Sequence, residues 1–267
     1  MAKLQLTFES KALMQSMAVS CYLPNDKKPF TGIDGVVTLL HGIHGGNEDW
    51  FLYSNACRYA RENNLALVCP SCGNSFYVDM AYGGAYFTFL TEELPQFLGE
   101  MLIVPKERCK NAICGLSMGG YGALLAAMSK PENYFAAASF SGAIAADLML
   151  SQKGNPLVDG TFKPVFGEEL ILPKQYDLNF LAKETSRLPK EKQPKMLVTC
   201  GEQDNNGYLI LMQNLSFEKA VKGLPLDIEF SRWAGEHNWK FWDRSFVLFI
   251  DRFFNNGYLE TVKADWQ

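Results

Sequence analysis

The pentapeptide Gly115-Leu116-Ser117-Met118-Gly119 limits what this 267-residue chain can fold into more than any other feature. It lies between a short apolar run, Ala112–Gly115, and a helix-length stretch, Ser117–Ser129, that stops before Pro131. A chain that passes straight from a buried strand into a helix makes so tight a turn that side chains at positions 115 and 119 would collide with neighbouring strands, and glycine stands at both. Ser117 is then held in a strained backbone conformation at the turn's apex. The turn exposes its hydroxyl at the C-terminal edge of a sheet and at a helix N-terminus, where backbone N–H groups and the helix dipole favour negative charge. Gly120 and Gly122 extend the small-residue stretch into the helix.

The rest of the chain repeats the same alternation of short apolar runs and helix-length patterns, which predicts an α/β fold with a mostly parallel central sheet and helices on both faces. Lys3–Phe8 and Met14–Leu23 read as two antiparallel strands, the second ended by Pro24. Val36–Leu40, Leu65–Cys69, Ala112–Gly115, Phe135–Phe140, Met196–Cys200 and Asp227–Arg232 read as further strands. Helices are predicted over Trp50–Asn63, Thr91–Leu102, Ser117–Ser129, Tyr208–Lys222 and Lys240–Phe254. Residues 71–90 form a long loop rich in glycine and aromatics, of the kind that often carries function. Residues 143–190, broken by several glycines and prolines, read as a cap-like insertion with one or two short helices inside a single domain spanning 1–267.

Composition removes other classes. Hydrophobic residues make up 48% and charged residues 20%, so the chain is globular and not disordered. The net charge of −4 argues against nucleic acid, whose phosphates call for clustered Lys and Arg. No apolar run approaches the ~18–20 residues of a membrane span. The alternating start, Met1–Glu9, lacks the pattern of an export signal. With no such signal, the seven cysteines read as reduced thiols of a cytoplasmic protein. Cys69 and Cys72 have C-x-x-C spacing, but no second pair or histidines are placed to complete a metal site.

A serine hydroxyl needs a base to act as a nucleophile. Of the three histidines, His41, His44 and His237, only His237 follows Ser117, and it sits in the turn between the last strand and the last helix. That is the place for the base when the chain order is serine, acid, histidine. The acid belongs in the turn after Met196–Cys200, where Asp204 is the better candidate and Glu202 the second; Asp227 reads as a solvated turn residue. Two backbone N–H donors would stabilise a tetrahedral oxyanion: Met118, which follows the nucleophile, and Ile43 in the loop after Val36–Leu40. His41 reads as a brace for that loop, and His44 as a neighbour of the site.

These residues resemble the esterase D-type group of α/β-hydrolases. The resemblance rests on Leu39-Leu40-His41-Gly42, Gly115–Gly122, Cys200-Gly201-Glu202-Gln203-Asp204 and Gly235-Glu236-His237-Asn238-Trp239, with Tyr77–Met80 and Glu92–Pro95 in support. It spans about residues 30 to 255, and the branch it resembles most is the bacterial tributyrin esterases. It implies the α/β-hydrolase fold, a catalytic triad of Ser117, Asp204 and His237, an oxyanion hole at Ile43 and Met118, and hydrolysis of short-chain acyl esters with no cofactor or metal. The wider group includes acetyl and feruloyl esterases and S-formylglutathione hydrolases, whose machinery is the same, and a non-catalytic binding protein is the reading from another class. Homo-oligomers are expected from the resemblance, with a small-molecule ester as substrate. The group often has an aromatic or aliphatic residue after the acid, where this chain has Asn205-Asn206-Gly207. Pocket candidates are the aromatics Tyr77, Tyr82, Tyr86 and Trp239.

Overall fold

The computed structural model describes residues 2–24, 32–102, 104–205 and 207–263, with the side chain of residue 157 also left aside. Eight strands form one sheet: β1 (Ala2–Ser10), β2 (Gln15–Leu23), β3 (Gly35–Leu40), β4 (Leu65–Pro70), β5 (Asn111–Leu116), β6 (Ala136–Phe140), β7 (Lys195–Gly201) and β8 (Ile228–Trp233). Their order across the sheet is β1-β2-β4-β3-β5-β6-β7-β8. The β1–β2 and β2–β4 pairs are antiparallel, and every pair from β4 to β8 is parallel. Strands β4 and β6 are buried along their whole length and β5 and β7 beyond their first residue, because helices cover both faces.

One face carries α4 (Leu94–Met101), α5 (Met118–Ser129), α8 (Leu178–Thr185) and α9 (Ile210–Val221); the other carries α1 (Asp49–Tyr53), α2 (Ala56–Glu62), α10 (Trp239–Phe253) and α11 (Tyr258–Lys263). Every residue of α5 from Met118 to Met128 is buried. Such a helix is enclosed by its neighbours and carries no polar face. By contrast α10 buries one stripe, Phe241, Trp242, Ser245, Phe246, Val247, Phe249 and Ile250, and leaves Arg244 in solvent. No helix among the described residues is long and apolar enough to cross a membrane.

Several elements differ from the sequence reading for local reasons. The helix expected over Trp50–Asn63 is two, α1 and α2, broken at Ser54 and Asn55. There the Asp243 carboxylate accepts from the Asn55 N–H (2.7 Å) and the Tyr59 hydroxyl (2.6 Å), fixing the break from a distant helix. The helix expected over Thr91–Leu102 begins earlier, as α3 (Tyr86–Thr88), and reaches α4 through a π-helical turn at Phe89–Glu93. Asp79 holds its start by accepting from the Thr88 N–H and hydroxyl (3.0 and 2.9 Å). Met14, expected in β2, is exposed at a positive φ in the turn before it.

The segment between β6 and β7 contains α6 (Ala146–Leu150), α7 (Pro156–Phe166) and α8, more helix than the one or two short pieces expected. Its last helix, α8, is buried against α5 and serves as a crossover between the two strands. Helix α7 is tied to the long loop by Ala81 and Tyr82, whose N–H groups donate to Val165 and Pro164 carbonyls at 2.9 Å.

Phe246 is fully buried where α10 meets the sheet, in ring contact with Trp50, Tyr59 and Phe249. Phe246→Ala should therefore lower the unfolding free energy by about 3–5 kcal/mol, read as a drop in the urea midpoint with unchanged slope.

Candidate active site

Ser117 sits between β5 and α5 with φ 55° and ψ −119°, a conformation that costs on the order of 1–3 kcal/mol for a non-glycine residue. Its backbone is held from all sides. Its N–H donates to the Phe140 carbonyl (2.9 Å), and its carbonyl accepts from Gly120, Tyr121 and Ala143 at 3.0, 3.3 and 3.1 Å. The glycines around it are required by contact: a Cβ on Gly119 would stand 2.7 Å from the His41 carbonyl oxygen, and one on Gly115 would stand 2.7 Å from Leu40 Cβ. So the sequence expectation of a crowded elbow meets its physical cause, the approach of the β3 end to the β5–α5 turn.

The loop after β3 lies against this elbow, and a Cβ on Gly42 would meet Leu116 Cδ1 at 2.7 Å and Ser117 Cβ at 3.5 Å. His41 is buried, with Nδ1 2.7 Å from the Gly42 carbonyl and Nε2 accepting from the Cys72 N–H at 2.9 Å. That pairing assigns a neutral ring protonated at Nδ1, since a protonated Nε2 could not accept. Burial, the largest cause, pushes the His41 pKa below its ordinary value. Further bonds fix the loop: Trp50 Nε1 donates to the Leu40 carbonyl (3.1 Å), and the Tyr77 hydroxyl donates to the His41 carbonyl (2.8 Å). Ile43 follows, half-buried, and Met118 begins α5. Neither of their N–H groups donates to another backbone group among the described residues. His44 is exposed at φ 64°, with its N–H held by Asn74 Oδ1 at 2.8 Å.

Asp204 lies in the turn after β7, its side chain fully buried, its N–H bonded to the Gly201 carbonyl and its carbonyl to the Leu211 N–H. Its Oδ2 is 3.0 Å from Nδ1 of His237, which follows β8 with its side chain 23% exposed. That contact engages Nδ1 of the ring and not Nε2. Trp242 stands edge-on to the imidazole, centroids 4.9 Å apart. Glu202, the second candidate acid, is exposed, and so is Asp227.

Sequence reasoning missed the residue that joins the turn after β7 to the turn after β8. Gln203 N–H donates to the Gly235 carbonyl (3.0 Å), and Gln203 Oε1 accepts from the Gly235 N–H (2.7 Å). The two turns touch so closely that a Cβ on Gly201 would meet the Gly235 backbone. Only the adjacency of Gln203 to Asp204 could have hinted at this. Buried Gln213 and Asn214 of α9 were missed too. Gln213 Oε1 accepts from Ala145 N–H and Asn214 Nδ2 donates to the Gly142 carbonyl, both at 2.9 Å, pinning the loop beside the elbow.

The pocket candidates separate. Tyr77 is fully buried and props the His41 carbonyl beneath Gly122, so it is a brace and not a pocket wall. Tyr82 is 64% exposed on the loop tied to α7. Tyr86 is half-buried, with its hydroxyl accepting from Gln15 Nε2 at 3.4 Å. Trp239 is half-buried among Trp50, Tyr53 and Trp242. Asn205 is exposed; Asn206 lies outside the described residues. Among those residues no cluster of three or more His, Cys, Asp or Glu could hold a metal. Burial pushes the Cys200 thiol up to about 12 and the Cys114 thiol well above its ordinary value, so neither competes as a nucleophile.

A mostly parallel sheet with an elbow serine after β5 and a carboxylate–imidazole pair at the ends of β7 and β8 defines an α/β-hydrolase. The chain belongs to the esterase family described as "Putative esterase", which it matches over residues 10–250, and is a serine hydrolase acting on carboxylic ester bonds. It is 29% identical over 259 residues to an acetyl esterase of Caldicellulosiruptor saccharolyticus, covering 91% of this chain and 95% of that one. The S-formylglutathione hydrolase FrmB of Staphylococcus aureus is similar in structure, with a TM-score of 0.78, 25% identity and coverage of 92% of this chain and 95% of that one. FphF, a fluorophosphonate-binding serine hydrolase of Staphylococcus aureus, shares the fold at a TM-score of 0.83 and 24% identity, over 96% and 99% of the two chains.

Two outcomes follow. Removing the Gln203 side-chain acceptor in Gln203→Leu should lower kcat about tenfold with KM little changed, while Gln203→Glu, which keeps an acceptor, should lose less. Steady-state kinetics of the two variants check this. His41 has a depressed pKa in the folded state, so the unfolded chain takes up its proton first as pH falls. The stability His41 contributes is complete above about pH 6.5 and is lost as pH drops toward its folded value. Urea unfolding at pH 7.5 and 5.5 should show a smaller pH-dependent loss in His41→Gln than in the wild-type chain.

Proposed function

We propose that this chain is a serine carboxylesterase that hydrolyses short-chain acyl esters through an acyl-enzyme intermediate. The reading is carried by the 3.0 Å contact between Asp204 Oδ2 and His237 Nδ1, which follows the elbow serine in chain order. Asp204 holds the imidazole with its proton on Nδ1 and stabilises the imidazolium. His237 Nε2 then takes the Ser117 proton as Oγ bonds to the ester carbonyl carbon. The oxyanion is stabilised by the N–H groups of Ile43 and Met118, each worth ~3 kcal/mol. Collapse of the tetrahedral species breaks the bond to the alcohol, which leaves with the proton from His237. Water, deprotonated by His237, attacks the acyl carbon and frees Ser117 and the acid.

Preference for a short acyl group is supported by the similarity to the acetyl esterase across most of both chains. A second reading, ester groups on carbohydrates or phenols, is favoured by one observation. Tyr53 and Trp239, centroids 5.5 Å apart, line a cavity of about 430 Å³ with Asn55, Lys240, Asp243 and Arg244. Such rings stack on sugars and aromatic groups, and Trp239 is two residues from His237. A small thioester such as S-formylglutathione would use the same machinery, a reading supported by the likeness to FrmB. Free thiols at all seven cysteines support a cytoplasmic setting.

Hydrolysis of p-nitrophenyl esters from acetate to octanoate is expected to be fastest at the short end. Ser117→Ala should cut kcat by more than about 10⁴-fold. Activity that survives this substitution would remove the proposed nucleophile. Feruloylated or acetylated sugars cleaved faster than butyrate at equal concentration would favour the second reading.

A further inference from the structure

A cavity of about 300 Å³ lies between α4 and the sheet, at the end where β3, β5 and β6 begin. Ser117 follows the opposite end of β5, so this cavity is separate from the candidate active site. Thr38 lines it from the middle of β3. Its same-face neighbours Val36 and Leu40 are buried, yet Thr38 is only half-buried, so solvent reaches the interior of the sheet there. Leu90, Leu94 and Leu98 form an apolar wall. Leu90 belongs to the π-helical turn Phe89–Glu93, and such turns are frequent at functional sites.

Two hydroxyls that line the cavity have no hydrogen-bond partner among the described residues. Tyr134 is 5% exposed, and its hydroxyl bonds to nothing. Burial pushes the pKa of that hydroxyl well above its ordinary value, so it stays protonated and can donate. The Thr38 hydroxyl is unpartnered too. Buried polar groups are nearly always paired, so an orphaned Tyr134 hydroxyl calls for a partner inside the cavity. The amides around it already donate elsewhere: Asn111 Nδ2 to the Glu107 carbonyl (2.8 Å), Asn133 Nδ2 to the Thr91 carbonyl (3.2 Å) and Gln96 Nε2 to Glu100 Oε1 (3.0 Å).

The third donor is Lys106, which also lines the cavity and forms no ion pair among the described residues. Gly99 makes room for it. Glycine is a poor residue inside a helix, but a Cβ on Gly99 of α4 would stand 2.9 Å from Lys106 Cε and 3.2 Å from Nζ. The lysine is thereby laid across the helix at the cavity. Glu132 lines the cavity as well, but it is exposed, where water and salt screen its charge.

Two hydroxyls and an ammonium call for a group that only accepts, and an ionised carboxylate is such a group. One ammonium balances its single charge, whereas a phosphate monoester would bring about two. The leucine wall calls for an apolar chain attached to it. We propose that this cavity is a second, non-catalytic binding site for an aliphatic carboxylate, whose oxygens accept from Thr38, Tyr134 and Lys106 and whose chain lies against Leu90, Leu94 and Leu98. The site stands independently of the chemistry at Ser117.

Titration calorimetry with octanoate should show binding that Lys106→Met, which keeps the aliphatic stem and removes the charge, weakens about tenfold. Tyr134→Phe should weaken it about fivefold. Lys106→Arg, which restores the charge, should stay within about twofold of the wild-type chain. Octanol, with the same chain and no carboxylate, should bind more weakly than octanoate. Near-ultraviolet circular dichroism of all three variants should match the wild-type chain. In crystals soaked with 8-bromooctanoate, the bromine should lie among Leu90, Leu94 and Leu98. The proposal is overturned if octanoate does not bind, if Lys106→Met and Tyr134→Phe leave its binding unchanged, or if no bromine is found in this cavity.

Discussion

Gly119 rests on the carbonyls of Leu40 and His41, and Gly115 rests on Gly119. This backbone-to-backbone approach joins the end of β3, the end of β5 and the first turn of α5. It leaves no room for any side chain at those two positions, and it sets where everything nearby must go. Helix α5 is pulled so close to the sheet that all its residues from Met118 to Met128 are buried. The space beside Gly122 is filled by the Tyr77 ring, whose hydroxyl then supports the loop after β3. Ala136, Ala137 and Ala138 keep the neighbouring strand β6 thin. A strained serine persists because the packing on every side specifies its conformation.

Two histidines show how neighbours divide chemistry between identical side chains. The ring nitrogens of His41 meet backbone groups, a carbonyl at Nδ1 and an N–H at Nε2, and the ring is held neutral inside the protein. Both its nitrogens are occupied, so it braces. His237 meets a buried carboxylate at Nδ1 and is partly open to solvent. The difference lies in the partners and not in the rings.

Chain order and turn chemistry made the elbow and the two turns that bring Asp204 and His237 together legible in the amino-acid sequence alone, because each is announced by neighbours within a few residues. The elbow has its glycines; Asp204 and His237 stand just past strands. Residues whose role comes from a distant partner were not legible. Tyr77 read as a pocket aromatic, since nothing local says that its hydroxyl meets a carbonyl 36 positions away. Gln203 read as one more turn residue, although its side chain completes a bond to Gly235. The break between α1 and α2 depends on Asp243 of α10, which an apolar pattern over Trp50–Asn63 cannot register. The π turn at Phe89–Glu93 adds one residue to a helix without disturbing its apolar pattern enough to be seen.

The candidate site has no local fragment. Ile43, Ser117, Asp204 and His237 each stand after a different parallel strand, and none comes near another until β3, β5, β7 and β8 lie in one sheet. Contacts of such long sequence separation form late and slowly in folding. A chain with most of its helices in place but one strand astray would keep much of its secondary structure and hold no complete site at all. For this protein, turnover counts finished molecules: a half-folded population is silent, not merely slow.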